Sequence, residues 1–266
     1  MYTGHGPVSP VLTDAGLDGA VIIVTGGGSG IGAAAACKLA AAGASLVLVG
    51  RREELLKDVA AQVSSVGGQA LCVPADLADP ASPRQIVDCC LARYGRIDGL
   101  VNNAAVVRHM PLAEWDVGCF DEHVATNIRA PFFLTQAALP ALRDSPIRSV
   151  VNIGSSSGTL RRTGQSVYGM TKSALDYLTQ TLAGELAPLG VRVNSISPGP
   201  IDTPIHATWA DDLGEAYRWL SSQVPLGRIG SPEEVAAWIM LLLSPVASFM
   251  TGAVIPLDGG QVIDRE

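Results

Sequence analysis

Charge is scarce in this chain. Asp, Glu, Lys and Arg make up 16% of its 266 residues, against about a quarter in an average globular domain. A surface so thinly charged points to partial cover in an oligomer. The charge present leans acidic, with a formal net of −7, which argues against an extended nucleic-acid footprint. The five cysteines (Cys37, Cys72, Cys89, Cys90 and Cys119) include no Cys-x-x-Cys pair. Odd in number and without framework spacing, they read as reduced thiols in a cytoplasm. The four histidines (His5, His109, His123 and His206) show no metal-ligand spacing, so no metal is expected. No apolar run reaches the roughly 20 residues of a bilayer span, so no membrane partner is expected. Residues 1–18 carry Gly4, Gly6, Pro7 and Pro10 but neither a basic nor an apolar stretch. They read as a flexible arm rather than a signal peptide.

What the chain has in quantity is aliphatic sequence, 48% hydrophobic with 29 glycines. Short apolar runs at 20–24, 45–49, 70–73, 99–101, 149–153, 192–196 and 253–256 alternate with Ala/Leu-rich stretches. The runs are apolar throughout, as in strands covered on both faces of a parallel sheet. Helices are expected over 31–42, 53–66, 83–94, 117–143, 165–189 and 232–243. Pro83 and Pro232 follow the potential caps Ser82 and Ser231, and Gly43, Gly95 and Gly190 follow helix ends. This alternation predicts an α/β fold, a doubly wound, Rossmann-type parallel sheet of about seven strands with helices on both faces. One domain over residues 19–266 is expected, with an irregular insertion at 205–224.

The first run leads directly into Thr25-Gly26-Gly27-Gly28-Ser29-Gly30-Ile31-Gly32 and then a helix. Glycines allow close approach of backbone to phosphate, and a helix N-terminus offers free N–H groups. The order strand, loop, helix favours a nucleotide over a bare βα turn, and the lack of Gly-Lys-Ser/Thr excludes an NTPase P-loop. The second run ends in Gly50-Arg51-Arg52. A carboxylate here would bind the adenosine ribose and repel a 2′-phosphate, whereas arginine suits the phosphate. NADP(H) is therefore favoured over NAD(H), the other reading of Arg51 and Arg52 being a solvated helix start. Tyr168 and Lys172 stand at i and i+4 on an expected helix, so phenol and ammonium share a face. A fixed cation favours the phenolate, and Ser155, from another segment, can hold a substrate oxygen beside them. The same spacing also occurs on solvated helix faces.

Together these segments resemble the short-chain dehydrogenases/reductases over roughly residues 18–263. Further matches are Asp76-Leu77, Asn102-Asn103-Ala104-Ala105, Asn127, Pro198-Gly199-Pro200-Ile201-Asp202-Thr203 and Leu257-Asp258-Gly259-Gly260. Ala105 and Gly154 depart from the family's usual glycine and serine. The resemblance implies that Tyr168 is the general acid or base, that Lys172 holds the nicotinamide ribose and lowers the Tyr168 pKa, and that Ser155 binds the substrate oxygen. It implies that Asn127 supports a proton-returning water chain. Asp76 and Leu77 would meet the adenine, Asn103 and Ala104 the adenosine ribose, and Pro198, Gly199, Ile201 and Thr203 the nicotinamide. The family is usually tetrameric, so a homotetramer or homodimer is expected.

Substrate choice is expected in three loops: residues 106–110, 158–163 and the aromatic insertion 205–224, which suits a lid. Arg108, Arg161 and Arg162, with His109 and Trp209, are candidate substrate contacts, the arginines for an anionic group; ordinary solvated loop arginines are the alternative. The function expected is interconversion of a small carbonyl compound and a secondary alcohol. A 3-oxoacyl-carrier-protein or polyketide-type ketoreductase is the alternative, and a nucleotide-sensing protein without chemistry is a third reading.

Overall fold

The computed structural model describes residues 15–210 and 212–263. Seven strands overlap the seven expected runs: β1 Val21–Thr25, β2 Ser45–Gly50, β3 Gln69–Pro74, β4 Gly99–Asn102, β5 Ser149–Ile153, β6 Arg192–Pro198 and β7 Val254–Leu257. They form one sheet in the order β3-β2-β1-β4-β5-β6-β7, parallel at every pairing. The sheet is covered twice, which explains the lack of alternation. Ile22 and Val24 of β1 enter one core with Leu46 and Leu48 of β2. Val21 and Ile23 enter the other with Val47 and Val49. Helices α1 (Gly30–Ala41), α2 (Glu53–Ser65) and α8 (Pro232–Leu243) close the first core. Helices α3 (Ser82–Tyr94), α5 (Ala130–Asp144) and α6 (Ser166–Leu186) close the second.

Four expectations need correction. The helix expected over 117–143 is three pieces: α4 (Val117–Val124), a π turn Ala125–Arg129, and α5. Pro131 has no N–H to offer the carbonyl of Asn127, four residues back, and the ladder loosens there. Ser82 does not cap α3. Ala81 holds that position and the Ser82 hydroxyl donates to the Asp76 carbonyl at 2.6 Å. Ser231 does cap α8, in a reciprocal box with Glu234. The insertion is not irregular: it carries a 3₁₀ turn, Pro204–Thr208, and a helix α7, Leu213–Ser222. Residues 1–14 of the expected arm lie outside the described residues, but Ala15 and Leu17 are buried in the first core, so packed chain begins before residue 18. Gly43, Gly95 and Gly190 take positive φ after helix ends as expected, at 87°, 71° and 74°.

Candidate active site

β1 and β4 are neighbours at the centre of the sheet, and the chain leaves them toward opposite edges. The crevice beyond their carboxyl ends is where ligands bind in such sheets. A cleft of about 970 Å³ opens there, running from Arg51 and Asp76, past the glycine loop, to Ser155, Tyr168 and Trp209. Gly26 and Gly30 hold φ of 65° and 53°, a region side chains avoid. A Cβ at Gly32 would lie 2.2 Å from the Gly26 carbonyl oxygen, so only glycine lets α1 start so close to the loop. Ser29 caps α1 without a side-chain hydrogen bond, which leaves helix N-terminal N–H groups for a ligand. Gly26, Gly28, Ser29, Gly30 and Ile31 line the cleft. Thr25 and Gly32, expected as cofactor contacts, do not. Thr25 is buried, accepts from the backbone N–H groups of Asn103 and Ala104 at 2.9 and 3.0 Å, and donates to the Val101 carbonyl. It ties β1 to the segment after β4, so its part is to shape the loop.

Arg51, Arg52, Asp76, Leu77, Asn103 and Ala104 all reach the cleft wall at one end. Arg51 also lies 3.7 Å from Glu122, with both side chains partly solvated, a contact too weak to hold the guanidinium against a ligand. The Asn103 amide donates to the Thr25 carbonyl at 2.8 Å, which fixes the wall beside the glycine loop. Pro198, Gly199, Ile201 and Thr203 line the opposite end. A Cβ at Gly199 would come within 2.8 Å of the Asp258 Cα, so the segment after β6 packs tightly on the C-terminal loop.

Ser155, Tyr168 and Lys172 converge from β5's end and from α6, all on the cleft wall. Ser155 Oγ accepts from the Ser157 backbone N–H at 3.1 Å, which leaves its own proton for a partner in the cleft. Burial pushes the Tyr168 phenol above its ordinary value, opposed by a hydrogen bond with Ser155. Lys172 Nζ lies 5.7 Å from the Tyr168 ring centroid and donates to the Ile153 carbonyl at 2.7 Å. Its burial drives its pKa down to about 8, while Asp176 draws it upward. Asp176 was missed in the sequence, although it stands four residues beyond Lys172. Burial pushes its own carboxyl up, against hydrogen bonds from Ser195 and Ser197 and the charge of Lys172. Gly154 leaves room for this cluster, since a Cβ there would meet Asp176 and Ser197 oxygens at 2.8 Å.

Asn127 does not line the cleft. Its side chain, in the π turn, accepts from the Val106 N–H and donates to the Val106 carbonyl, each at 2.9 Å, and donates to Thr171 at 3.0 Å. It locks the loop after β4 to α6 beneath Tyr168.

The candidate substrate contacts separate. His109, Arg162 and Trp209 reach the cleft, but Arg108 and Arg161 do not. Arg108 pairs with Glu122 at 3.0 Å, and Arg161 lines an adjoining depression that shares Ser157, Arg162, Thr163 and Gln165 with the cleft. His109 stacks on Trp209 with ring centroids 5.0 Å apart. Its Nε2 lies 2.6 Å from Gln165 Nε2, and Gln165 Oε1 accepts from the Ser157 hydroxyl at 2.8 Å. Gln165 thus bridges the His109 ring and the Ser157 hydroxyl. Burial first, then the charges of Arg162 and His206, push the His109 pKa down. Ser157 and Gln165 carry no signal in the sequence, because their meeting depends on the fold of the loop.

Residues 26–261 match the family model described as enoyl-(acyl carrier protein) reductase. The 2,5-dichloro-2,5-cyclohexadiene-1,4-diol dehydrogenase LinX of Sphingobium indicum is 35% identical over 244 residues, 92% of this chain and 96% of its own. The 3-oxoacyl-[acyl-carrier-protein] reductase FabG of Thermotoga maritima is 35% identical over 248 residues, 93% of this chain and 99% of its own. Among solved structures, a short-chain type dehydrogenase/reductase from Mycobacterium marinum superposes with a TM-score of 0.86 at 34% identity, covering 94% of this chain and 97% of its own. The 3-ketoacyl-(acyl-carrier-protein) reductase of Brucella melitensis, complexed with NADH, gives 0.84 at 30% identity, covering 92% and 99%.

Proposed function

The chain belongs to the short-chain dehydrogenase/reductase family of NAD(P)-dependent oxidoreductases, and from that premise we propose that it interconverts a ketone and a secondary alcohol with NADP(H), using Tyr168 as acid or base. The observation that carries the reading is one cleft with the glycine loop, Arg51 and Arg52 at one end and Ser155, Tyr168 and Lys172 at the other. The free N–H groups at the start of α1 suit a pyrophosphate. Arg51 and Arg52 suit the 2′-phosphate, Asp76 and Leu77 the adenine, and Lys172 the ribose hydroxyls. Pro198, Gly199, Ile201 and Thr203 would hold a nicotinamide, whose chemistry would be to supply hydride in reduction and accept it in oxidation. In reduction Tyr168 gives its phenolic proton to the carbonyl oxygen, and Ser155 donates a hydrogen bond to that oxygen as charge builds. Asn127 supports proton return through water by fixing the loop over α6. The helix α7 with its preceding turn acts as the lid of this one domain.

The reading is tested by a ketone and alcohol panel with NADPH and NADH side by side, on the wild type and Tyr168→Phe. Turnover should favour NADPH and should fall by about a hundredfold or more in the variant, while coenzyme affinity stays within about twofold. Preference for NADH would remove the role given to Arg51 and Arg52. Unchanged turnover in the variant would remove the role of Tyr168. A second reading, reduction of 3-oxoacyl chains on a carrier protein, is favoured by the names of the Thermotoga and Brucella relatives. It requires carrier-linked substrate to outperform the free ketone. The five free cysteines support a reducing, cytoplasmic setting, and no described helix is long and apolar enough to cross a membrane. The protein works as an assembly of identical subunits.

A further inference from the structure

The cleft wall carries four fixed or potential cations besides its histidines: Arg51, Arg52, Lys172 and Arg162. The first three have work in the proposed coenzyme site. Arg162 has none. It is half-buried on the wall near His109, and its Nε is fully enclosed with no hydrogen-bond partner. No carboxylate among the described residues pairs with it. By contrast Arg51, Arg96, Arg108 and Arg228 each have one within 4 Å. Asp76 is the only acid among the described residues of the wall, and it lies beside β3, at the other end of the cleft. The two histidines on this side of the wall, His109 and His206, are both lowered in pKa by burial and supply no anion. A guanidinium that has lost part of its water and gained no anion is expensive. Such groups persist where a ligand completes them.

We infer that the carbonyl substrate carries a carboxylate, and that Arg162 receives it. This inference rests on the proposed ketone–alcohol chemistry and names its substrate class. The planar fork of arginine matches a carboxylate by two parallel hydrogen bonds. Trp209, stacked on His109, and Trp219 and Leu220 of α7 supply a broad apolar wall beside it. The substrate class is therefore an oxo acid, or the matching hydroxy acid, with a ring or branched apolar body. The carboxylate takes no part in hydride or proton transfer and serves to orient the carbonyl toward Ser155 and Tyr168. Burial pushes the Arg162 pKa below its ordinary value, which agrees with a cation that lacks its counter-ion.

The test is a series of aryl oxo acids, with the carboxylate at increasing distance from the ketone, each set against its methyl ester under saturating NADPH. At least one acid should exceed its ester in kcat/KM by about 10- to 100-fold, the worth of one charged hydrogen-bonded contact, mainly through KM. Arg162→Gln should erase that preference, bringing the acid-to-ester ratio of kcat/KM to about one, and Arg162→Lys should keep part of it. Equal kcat/KM for acids and esters in the wild type overturns the inference, as does an equal loss of both in Arg162→Gln. If neither form is reduced, the ketone–alcohol reading fails on its own. The inference is then decided by calorimetric titration with the same acids, which should bind the wild type and not Arg162→Gln. Absence of acid binding to the wild type overturns it.

Discussion

Lys172 is a cation buried where water cannot support it, and its proton is kept by Asp176. Burial lowers the lysine to about 8 and the acid draws it back up. The sign of a change follows directly. Removing the acid's charge takes away the raising influence, so the lysine loses its proton at lower pH. Asp176→Asn keeps an acceptor oxygen for the Ser195 hydroxyl and turns the group facing Ser197 into a donor to that hydroxyl oxygen, while removing the charge. The alkaline limb of NADPH binding should therefore move to lower pH. Binding measured by fluorescence across the alkaline range checks this, and a limb that stays in place would remove Asp176 from the account. The residue scale also shows what a sequence can and cannot declare. Tyr168 and Lys172 were legible because i and i+4 on a helix must share a face, and the same rule extended one turn would have reached Asp176. Where the side chains of Thr25 and Asn127 point was not legible, because a polar side chain near a ligand loop reads alike whether it faces the ligand or the backbone. Thr25 spends its hydroxyl on three backbone groups around β1 and β4, and Asn127 spends its amide on Val106 and Thr171.

At the scale of elements the strands were legible because burial on both faces demands unbroken apolar runs. The helices were legible where a proline, a cap or a glycine bounded them. The π turn was not, because its cause is a missing donor at Pro131 rather than any break in hydrophobic pattern. The lower edge of the sheet shows how elements are joined away from the site. Asp98 is fully buried before β4. It accepts from Arg96 through both guanidinium arms at 2.7 and 2.6 Å, from the Val21 N–H at 2.8 Å and from the Ser145 hydroxyl at 2.6 Å. One carboxylate thus fastens the start of β1, the approach to β4 and the turn between α5 and β5. Asp98→Ala leaves a buried N–H and a hydroxyl without their acceptor, while the half-exposed Arg96 turns to water, and should cost about 2–3 kcal/mol, read as a lower urea midpoint. A loss below about 1 kcal/mol would mean that water replaces the carboxylate. Because the group lies at the opposite end of the strands from the cleft, the folded fraction should keep its coenzyme affinity.

For the whole molecule, scarce charge and a mean hydropathy of +0.30 leave apolar side chains on the outside. One group of them lies on the helices that close the second core. Phe132 and Phe133 of α5 are 38% and 45% exposed, and Tyr177 of α6 is 73% exposed. Val117 and Phe120 of α4 add to the same face of the sheet, at 75% and 40%. Apolar side chains gathered in this way mark a surface made to be covered. A second copy of the chain is the simplest cover, since helices of this kind pack against their own equivalents across a two-fold axis. Light scattering of the purified protein at micromolar concentration should therefore give a tetramer, or at the least a dimer. Phe133→Glu combined with Tyr177→Glu places charge in the desolvated patch and should shift the mass to a smaller species. The circular dichroism of the fold should be retained, because neither side chain reaches the core. A wild-type monomer, or a double variant whose mass does not change, would mean that α5 and α6 face solvent and that the low charge of the chain has another cause.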